Sequence, residues 1–303
     1  MERVIELQQI TKQFPKKLAL NNVSFSINKG EVVAILGPNG AGKTTLMHIM
    51  LGLLSPSAGE VNIFNQPPHK RKVRDKIGAM LQDVSLMDGV KVIELLQLFT
   101  TYYSNPMPLQ LLKQLTNLSE TDLKMRTEKL SGGQKRRVSF ALSLAGNPEL
   151  LFFDEPTVGM DIASRQKFWR TIQQYAKAGK TVVFTTHYLQ EADDFANRIL
   201  LLNQGHLIQD GSPEAIKRNV SRQIVSFLTH SLFPFPAFKK LPYVLNIYEK
   251  ENRIMIETNN VEETIAALFA KNIRIKDLQI EKGRLEDAFS QLTNVEELEG
   301  NII

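Results

Sequence analysis

The sequence predicts an α/β fold followed by a small α+β unit, and three observations carry that prediction. First, a short apolar run, Val32-Val33-Ala34-Ile35-Leu36, leads into a glycine-rich loop and then a helical pattern at Leu46, Met47, Ile49 and Met50. Second, further continuous apolar runs at Leu150–Phe153 and Thr181–Thr186 alternate with helical stretches, as buried strands of a parallel sheet do. Third, beyond residue 218 the pattern changes to strand, hairpin, helix and strand.

The chain has 303 residues, enough for about two domains. It is 43% hydrophobic and 23% charged, ordinary values for a globular protein. Net charge is +5 with no long basic stripe, so nucleic acid is not an expected partner. With no cysteine there is no disulfide, zinc-thiolate site or thiol chemistry. The N-terminus, Met1–Leu7, reads as a strand and not as a secretory signal. No apolar run approaches the roughly 20 residues that a membrane-spanning helix needs.

Residues 4–10 and 23–27 alternate as half-buried strands. Between them Phe14, in a polar stretch, is either a face for a purine ring or a core or edge aromatic. The loop Gly37-Pro38-Asn39-Gly40-Ala41-Gly42-Lys43-Thr44-Thr45 stands between strand and helix, the order of a phosphate-binding loop. Glycines aim several backbone N–H groups at one point, and the helix N-terminus and Lys43 add positive charge. Thr44 offers a hydroxyl to Mg2+. Gly52–Gly59 is a turn-rich break, Glu60–Phe64 a strand, Pro67–Arg74 a basic surface loop, and Ile77–Leu81 a strand ending on Gln82.

Residues 83–130 read as helical, with stripes at Val92, Leu95, Leu96, Phe99 and at Leu109, Leu112, Leu115, Leu118. Ser131-Gly132-Gly133-Gln134 opens the next helix, as an anion site or as a plain cap. The strand at Leu150–Phe153 ends on Asp154 and Glu155. Adjacent carboxylates at the end of a buried strand are costly unless charge is needed there. In a phosphate-loop protein one supports Mg2+ and the other takes a proton from water. Asp161 lies in a loop, a helix follows over 163–175, and its Trp169 reads as packing. The strand at Thr181–Thr186 ends on His187, either a satisfied structural residue or part of a site. A helix at 189–196, a strand at 198–202, a turn and short strand at 205–211 and a Ser212-capped helix complete this part.

The remaining residues read as a strand at Ile224–Leu228 and a hairpin of Tyr243–Tyr248 with Arg253–Thr258. A helix follows with Val261, Ile265, Leu268 and Phe269 on one face and Asn260 as cap, then a strand at Ile273–Ile280 and a helix opening at Leu285.

With these motifs in this order, residues 1–218 resemble the nucleotide-binding subunit of the ATP-binding cassette (ABC) transporter family. Gly37–Thr44 resembles its Walker A loop, Gln82 its Q-loop, Leu130–Gln134 its signature motif and Leu150–Asp154 its Walker B strand. Glu155 falls on the family's catalytic glutamate, Asp161 on its D-loop aspartate, His187 on its switch histidine and Phe14 on its adenine-stacking aromatic. Met160 and Val158 are small departures. The resemblance implies a P-loop NTPase cassette over 1–218: a RecA-like core, an antiparallel β subdomain and a helical subdomain at about 83–145. Residues 219–303 are then an α+β accessory domain, regulatory or dimer-stabilising.

It further implies ATP and Mg2+ as cofactors. Thr44, Gln82 and Asp154 would hold the metal, Glu155 and His187 would serve hydrolysis, and Phe14, residues 37–45, residues 131–134 and Asp161 would bind nucleotide, with Ser131 and Gly133 reaching it from across a dimer. The implied partners are a second cassette, identical or different, and integral membrane permease subunits docking near Leu86, Met87, Val90 and Val92. The protein would then sit peripherally on the cytoplasmic side of the cell membrane. The ending at 284–289 resembles subunits of two-component exporters of drugs, antibiotics and polysaccharides. An importer subunit, or a soluble cassette ATPase of translation or DNA repair, is the alternative.

Overall fold

Three strands, Val32–Leu36, Leu150–Asp154 and Thr181–Thr185, are buried at every position, which requires cover on both faces. They form the middle of a six-stranded sheet in the order Ile77–Met80, Leu150–Asp154, Thr181–Thr185, Val32–Leu36, Arg198–Asn203, His206–Gly211. All neighbours are parallel except the last pair, which is antiparallel. A separate three-stranded antiparallel sheet has the order Lys17–Asn28, Arg3–Phe14, Ala58–Ile63. One apolar core joins it to the larger sheet through the helix Lys43–Met50, with Ile5, Leu20, Ile35, Leu46, Ile49 and Val61 among its members.

This computed structural model describes every residue except 1, 83–84, 221–222, 230–233, 251, 272, 282–284, 287, 291 and 294–303. The chain divides into two compact units, Met1–Ser212 and Pro213–Ile303, with the break ahead of the helix Pro213–Val220 and not behind it. The expected stretch over 83–130 contains the helices Val92–Thr101, Leu109–Thr116 and Glu120–Leu123. Leu118 lies past the second of these, because Asn117 adopts a left-handed conformation (φ 51°) and ends the helix. Trp169 packs as expected, stacked on Phe195 at 4.7 Å and edge-on to Phe168 and Phe184.

In the second unit the strands Val244–Lys250, Arg253–Thr258, Gln223–Leu228 and Lys276–Glu281 form an antiparallel sheet in that order. The helix Val261–Ala270 is capped by Asn260, whose side-chain oxygen accepts from Glu263 N at 3.1 Å. Val225, Phe227, Phe238, Ile256 and Leu268 make its core.

Three readings shift. The strand expected at 23–27 runs over Lys17–Asn28, because the Phe14↔Lys17 hairpin extends the pairing beyond the alternating residues. The basic loop holds one helical turn, Arg71–Arg74, where Arg74 N donates to Lys70 O. The strand expected from Ile273 begins at Lys276, because Ile273 N donates back to Leu268 O and closes the preceding helix. Arg284 and Asp287 of the exporter-like ending lie outside the described residues.

Candidate functional site

Sheet register sets the site. Thr185 pairs with both Ile35 and Asp154, and Met80 pairs with Phe153, so four parallel strands end at one level. The segments that follow them carry the glycine loop, Gln82, Asp154-Glu155 and His187. This is the edge of an open α/β sheet where ligands collect.

The loop's conformation needs its glycines. Gly42 has φ 105°, and a Cβ there would sit 2.5 Å from Ala19 O. Gly42 caps the helix Lys43–Met50 and has no side chain of its own to hydrogen-bond the first amides. Lys43 is buried, and its Nζ donates to Gly37 O at 2.7 Å and Pro38 O at 3.1 Å. Burial pushes the Lys43 pKa below its ordinary value, against the opposing pull of Glu155 and Asp154. Thr44 is exposed, at the mouth of the loop.

A cleft of about 280 Å³ is lined by Phe14, Lys17, Asn39, Gly40, Gly42, Lys43, Thr44, Thr45, Gln82, Glu155 and His187. Phe14 is not a core aromatic: it is 38% exposed, with Lys12 Nζ 5.3 Å from its ring centre. Asp154 is buried; its Oδ1 accepts from Thr185 Oγ1 at 2.5 Å, while its Oδ2 has no partner among the described residues. Glu155 is also buried and sits at φ 49°, a left-handed value that is uncommon for a residue with a side chain. Its N–H donates to Thr185 Oγ1 at 3.0 Å and its carbonyl accepts from Arg136 at 3.0 Å. Its carboxylate meets His187 Nε2 at 2.6 Å and accepts from Gln82 Nε2 at 3.2 Å.

Asp154 does not itself line the cleft but lies directly behind its wall residue Glu155. A buried carboxylate oxygen without a partner among the described residues, next to a cleft that holds the Thr44 hydroxyl and the Gln82 amide, suits a hard cation. Among the described residues no three His, Cys, Asp or Glu gather as a metal cage. A cation here would need mixed oxygen donors and the phosphates of a bound nucleotide, the usual mode for Mg2+.

The remaining sequence-derived residues lie outside this cleft. Ser131 caps the helix Gly132–Ser143 in a reciprocal box: Gln134 N donates to Ser131 Oγ at 3.3 Å, and Ser131 N to Gln134 Oε1 at 2.9 Å. Asp161 caps the helix Ile162–Lys177, accepting from Ser164 N at 2.9 Å and Ser164 Oγ at 2.7 Å. Those hydrogen bonds hold Asp161 below the ordinary carboxylate range. Sequence patterns did not single out Lys17, Arg136 or Thr185. Lys17 had a signal in its place across a tight turn from Phe14, and its Nζ donates to Gly40 O at 2.9 Å. Thr185 had one in its place at the end of an apolar run. A larger cavity, about 450 Å³, lies between Leu111, Phe140, Lys167 and Tyr175 and contains none of the cleft residues. Convergence of titratable groups marks the site better than size does.

Fold and cleft together define a P-loop nucleotide-binding protein. The family model described as ABC transporter matches residues 20–158. A relative from Rhizobium sp. (strain N33), "Nod factor export ATP-binding protein I", is 31% identical over 96% of this chain and 97% of its own length. A protein of the same name from Burkholderia lata is 34% identical over 70% of this chain and 72% of its own. A dimeric ATP-binding cassette in a post-hydrolysis state with ADP and Pi is similar at TM-score 0.63 and 30% identity, covering 69% of this chain and 98% of that one. The chain belongs to the ABC transporter family, as an ATP-binding ATPase subunit of a transporter. Among the described residues no helix is long and apolar enough to cross a membrane.

Proposed function

We propose that this chain energises a membrane exporter: two cassettes close on ATP and Mg2+, and hydrolysis reopens them. The observation that carries the hydrolytic part is the buried pair Asp154-Glu155, with one Asp154 oxygen unpartnered among the described residues and Glu155 held between Gln82 and His187 beside Lys43.

In this reading Phe14 stacks on the adenine. The amides of residues 37–45 and Lys43 take the phosphates, which draw Lys43 off the Gly37 and Pro38 carbonyls. Thr44, Gln82 and Asp154 would hold Mg2+, which would supply charge neutralisation at the phosphate oxygens. Glu155 orients the attacking water and accepts its proton. His187, in contact with Glu155, turns to the γ-phosphate and positions it. Ser131, Gly132, Gly133, Gln134 and Asp161 belong to the face a second cassette meets, which accounts for their position outside this chain's own cleft.

Export is favoured because the Rhizobium relative, named for export, aligns through the second unit as well as the cassette. Coupling to transport requires permease subunits, which place the chain peripherally at the cytoplasmic face of the membrane. Residues 213–303 then act as an accessory unit.

The test pairs two measurements. Glu155→Gln is expected to bind ATP normally while turnover falls about 100-fold or more, the scale of a lost general base. A tagged wild-type chain is expected to co-purify with an integral membrane protein from detergent-solubilised membranes. Wild-type hydrolysis by the variant refutes the role of Glu155. Recovery of the tagged chain only from the soluble fraction refutes the transport role.

A further inference from the structure

The mechanism above makes no use of Glu191, yet this carboxylate is 4% exposed, in the first turn of the helix Leu189–Phe195. A buried carboxylate persists only where its oxygens are satisfied. The two oxygens of Glu191 are satisfied by different segments. Its Oε1 accepts from Thr157 Oγ1 at 2.7 Å and its Oε2 from Thr186 Oγ1 at 2.7 Å. Thr157 follows Glu155 by one intervening residue, and Thr186 directly precedes His187.

Thr186 is fixed twice. Its hydroxyl donates to Glu191 and accepts from Tyr188 N at 3.0 Å, so the turn carrying His187 is closed on both sides. A third segment joins through Arg165, whose Nε lies 3.6 Å from Glu191 Oε1 and whose guanidinium stacks over the Tyr188 ring at 4.1 Å. Arg165 stands on the helix that Asp161 caps.

We infer that Glu191 is a positioning residue for ATP hydrolysis: it ties the segment after Glu155 to the turn bearing His187 and sets the distance between those two side chains. The inference rests on the roles proposed for Glu155 and His187. Glu191 does not line the cleft, and among the described residues its polar partners are Thr157, Thr186 and Arg165, none of them in the glycine loop, so it governs the chemical step and not nucleotide affinity. Displacing a reacting group by about 1 Å costs on the order of 100-fold in rate.

The test is steady-state ATPase kinetics together with nucleotide affinity on the full-length chain. Glu191→Ala is expected to lower kcat about 10- to 100-fold with ATP affinity within about twofold of wild type. Glu191→Gln recovers most of kcat, because its carbonyl serves Thr186 while its amide turns to Thr157. Thr157→Val, which removes one arm only, lowers kcat and Thr157→Ser restores it; this pair decides the matter if Glu191→Ala does not fold. In a Glu155→Gln background, adding Glu191→Ala is expected to change the residual rate little, since both act through one group. Wild-type kcat in Glu191→Ala, or a loss shared equally by affinity and kcat, overturns the inference while leaving the roles of Glu155 and His187 intact. Full turnover in Glu155→Gln alone removes those roles, and the inference falls with them.

Discussion

Replacing Thr185 by Val removes one hydroxyl and keeps the shape. That hydroxyl is fully buried, donates to Asp154 Oδ1 at 2.5 Å, and accepts from Glu155 N at 3.0 Å. Its loss therefore has two costs. The Asp154 carboxylate, whose Oδ2 already lacks a partner, loses its one protein hydrogen bond among the described residues. A hydrogen bond to a charged group contributes about 1.5–3 kcal/mol, and the unpaired Glu155 N–H adds about 1–3 kcal/mol. Together they amount to about 2.5–6 kcal/mol. At about 2–4 °C per kcal/mol for a domain of this size, the unfolding midpoint falls by roughly 5 °C or more. Thr185→Ser keeps the hydroxyl and drops a methyl, at about 1 kcal/mol. Thermal unfolding of the three proteins without nucleotide separates the terms. Equal midpoints for the Val and Ser variants would refute the claim that this hydroxyl holds the two carboxylate residues in place.

Three further outcomes are expected. Lys43 sits below its ordinary value of 10.5, and phosphate favours its charged form, so ATP binding takes up protons between the lowered pKa and 10.5. Calorimetry in two buffers of unlike ionisation enthalpy measures this, Lys43→Ala abolishes tight binding, and proton release would contradict the assignment. The unfolded chain binds more protons than the folded one across that window, so Lys43 makes apo stability rise with pH there. Gly42→Ala sets a Cβ 2.5 Å from Ala19 O at φ 105° and destabilises by about 3 kcal/mol or more. Gly132→Ala, with no neighbour within 4 Å, leaves unfolding unchanged or slightly raised, and equal losses in the two variants would show that packing around Gly42 is not the cause. Ser131→Asp keeps an N-cap acceptor and unchanged stability, yet has no hydroxyl proton to give an anion, so turnover falls about 100-fold; full turnover would leave Ser131 a cap alone.

The motifs were readable because their chemistry is local. Gly37–Thr45 needs only a strand before it and a helix after it, and Asp154-Glu155 and His187 follow apolar runs that parallel pairing brings level. Thr185, Arg136 and Glu191 were hidden for the opposite reason: each acts on a residue far along the chain, and nothing in a period or a dipeptide records a hydrogen bond across 30 positions such as Glu155 N to Thr185 Oγ1. The end of the Leu109–Thr116 helix at Asn117 escaped the leucine spacing, which continues to Leu118 although the backbone does not.

Ser131 shows why two readings of one residue need not compete. Its oxygen accepts from Gln134 N, so the cap is real, and its O–H proton remains available to a phosphate. Beside it, a Cβ on Gly132 would meet nothing within 4 Å, and one on Gly133 only the tip of Arg137 at 3.9 Å. Gly42 is glycine because its own chain crowds it. Gly132 and Gly133 are not crowded by theirs, and both sit in a helix, where alanine is favoured by about 1 kcal/mol. Their presence against that preference is accounted for when the approaching atoms belong to another molecule, which is the arrangement a closed cassette dimer supplies.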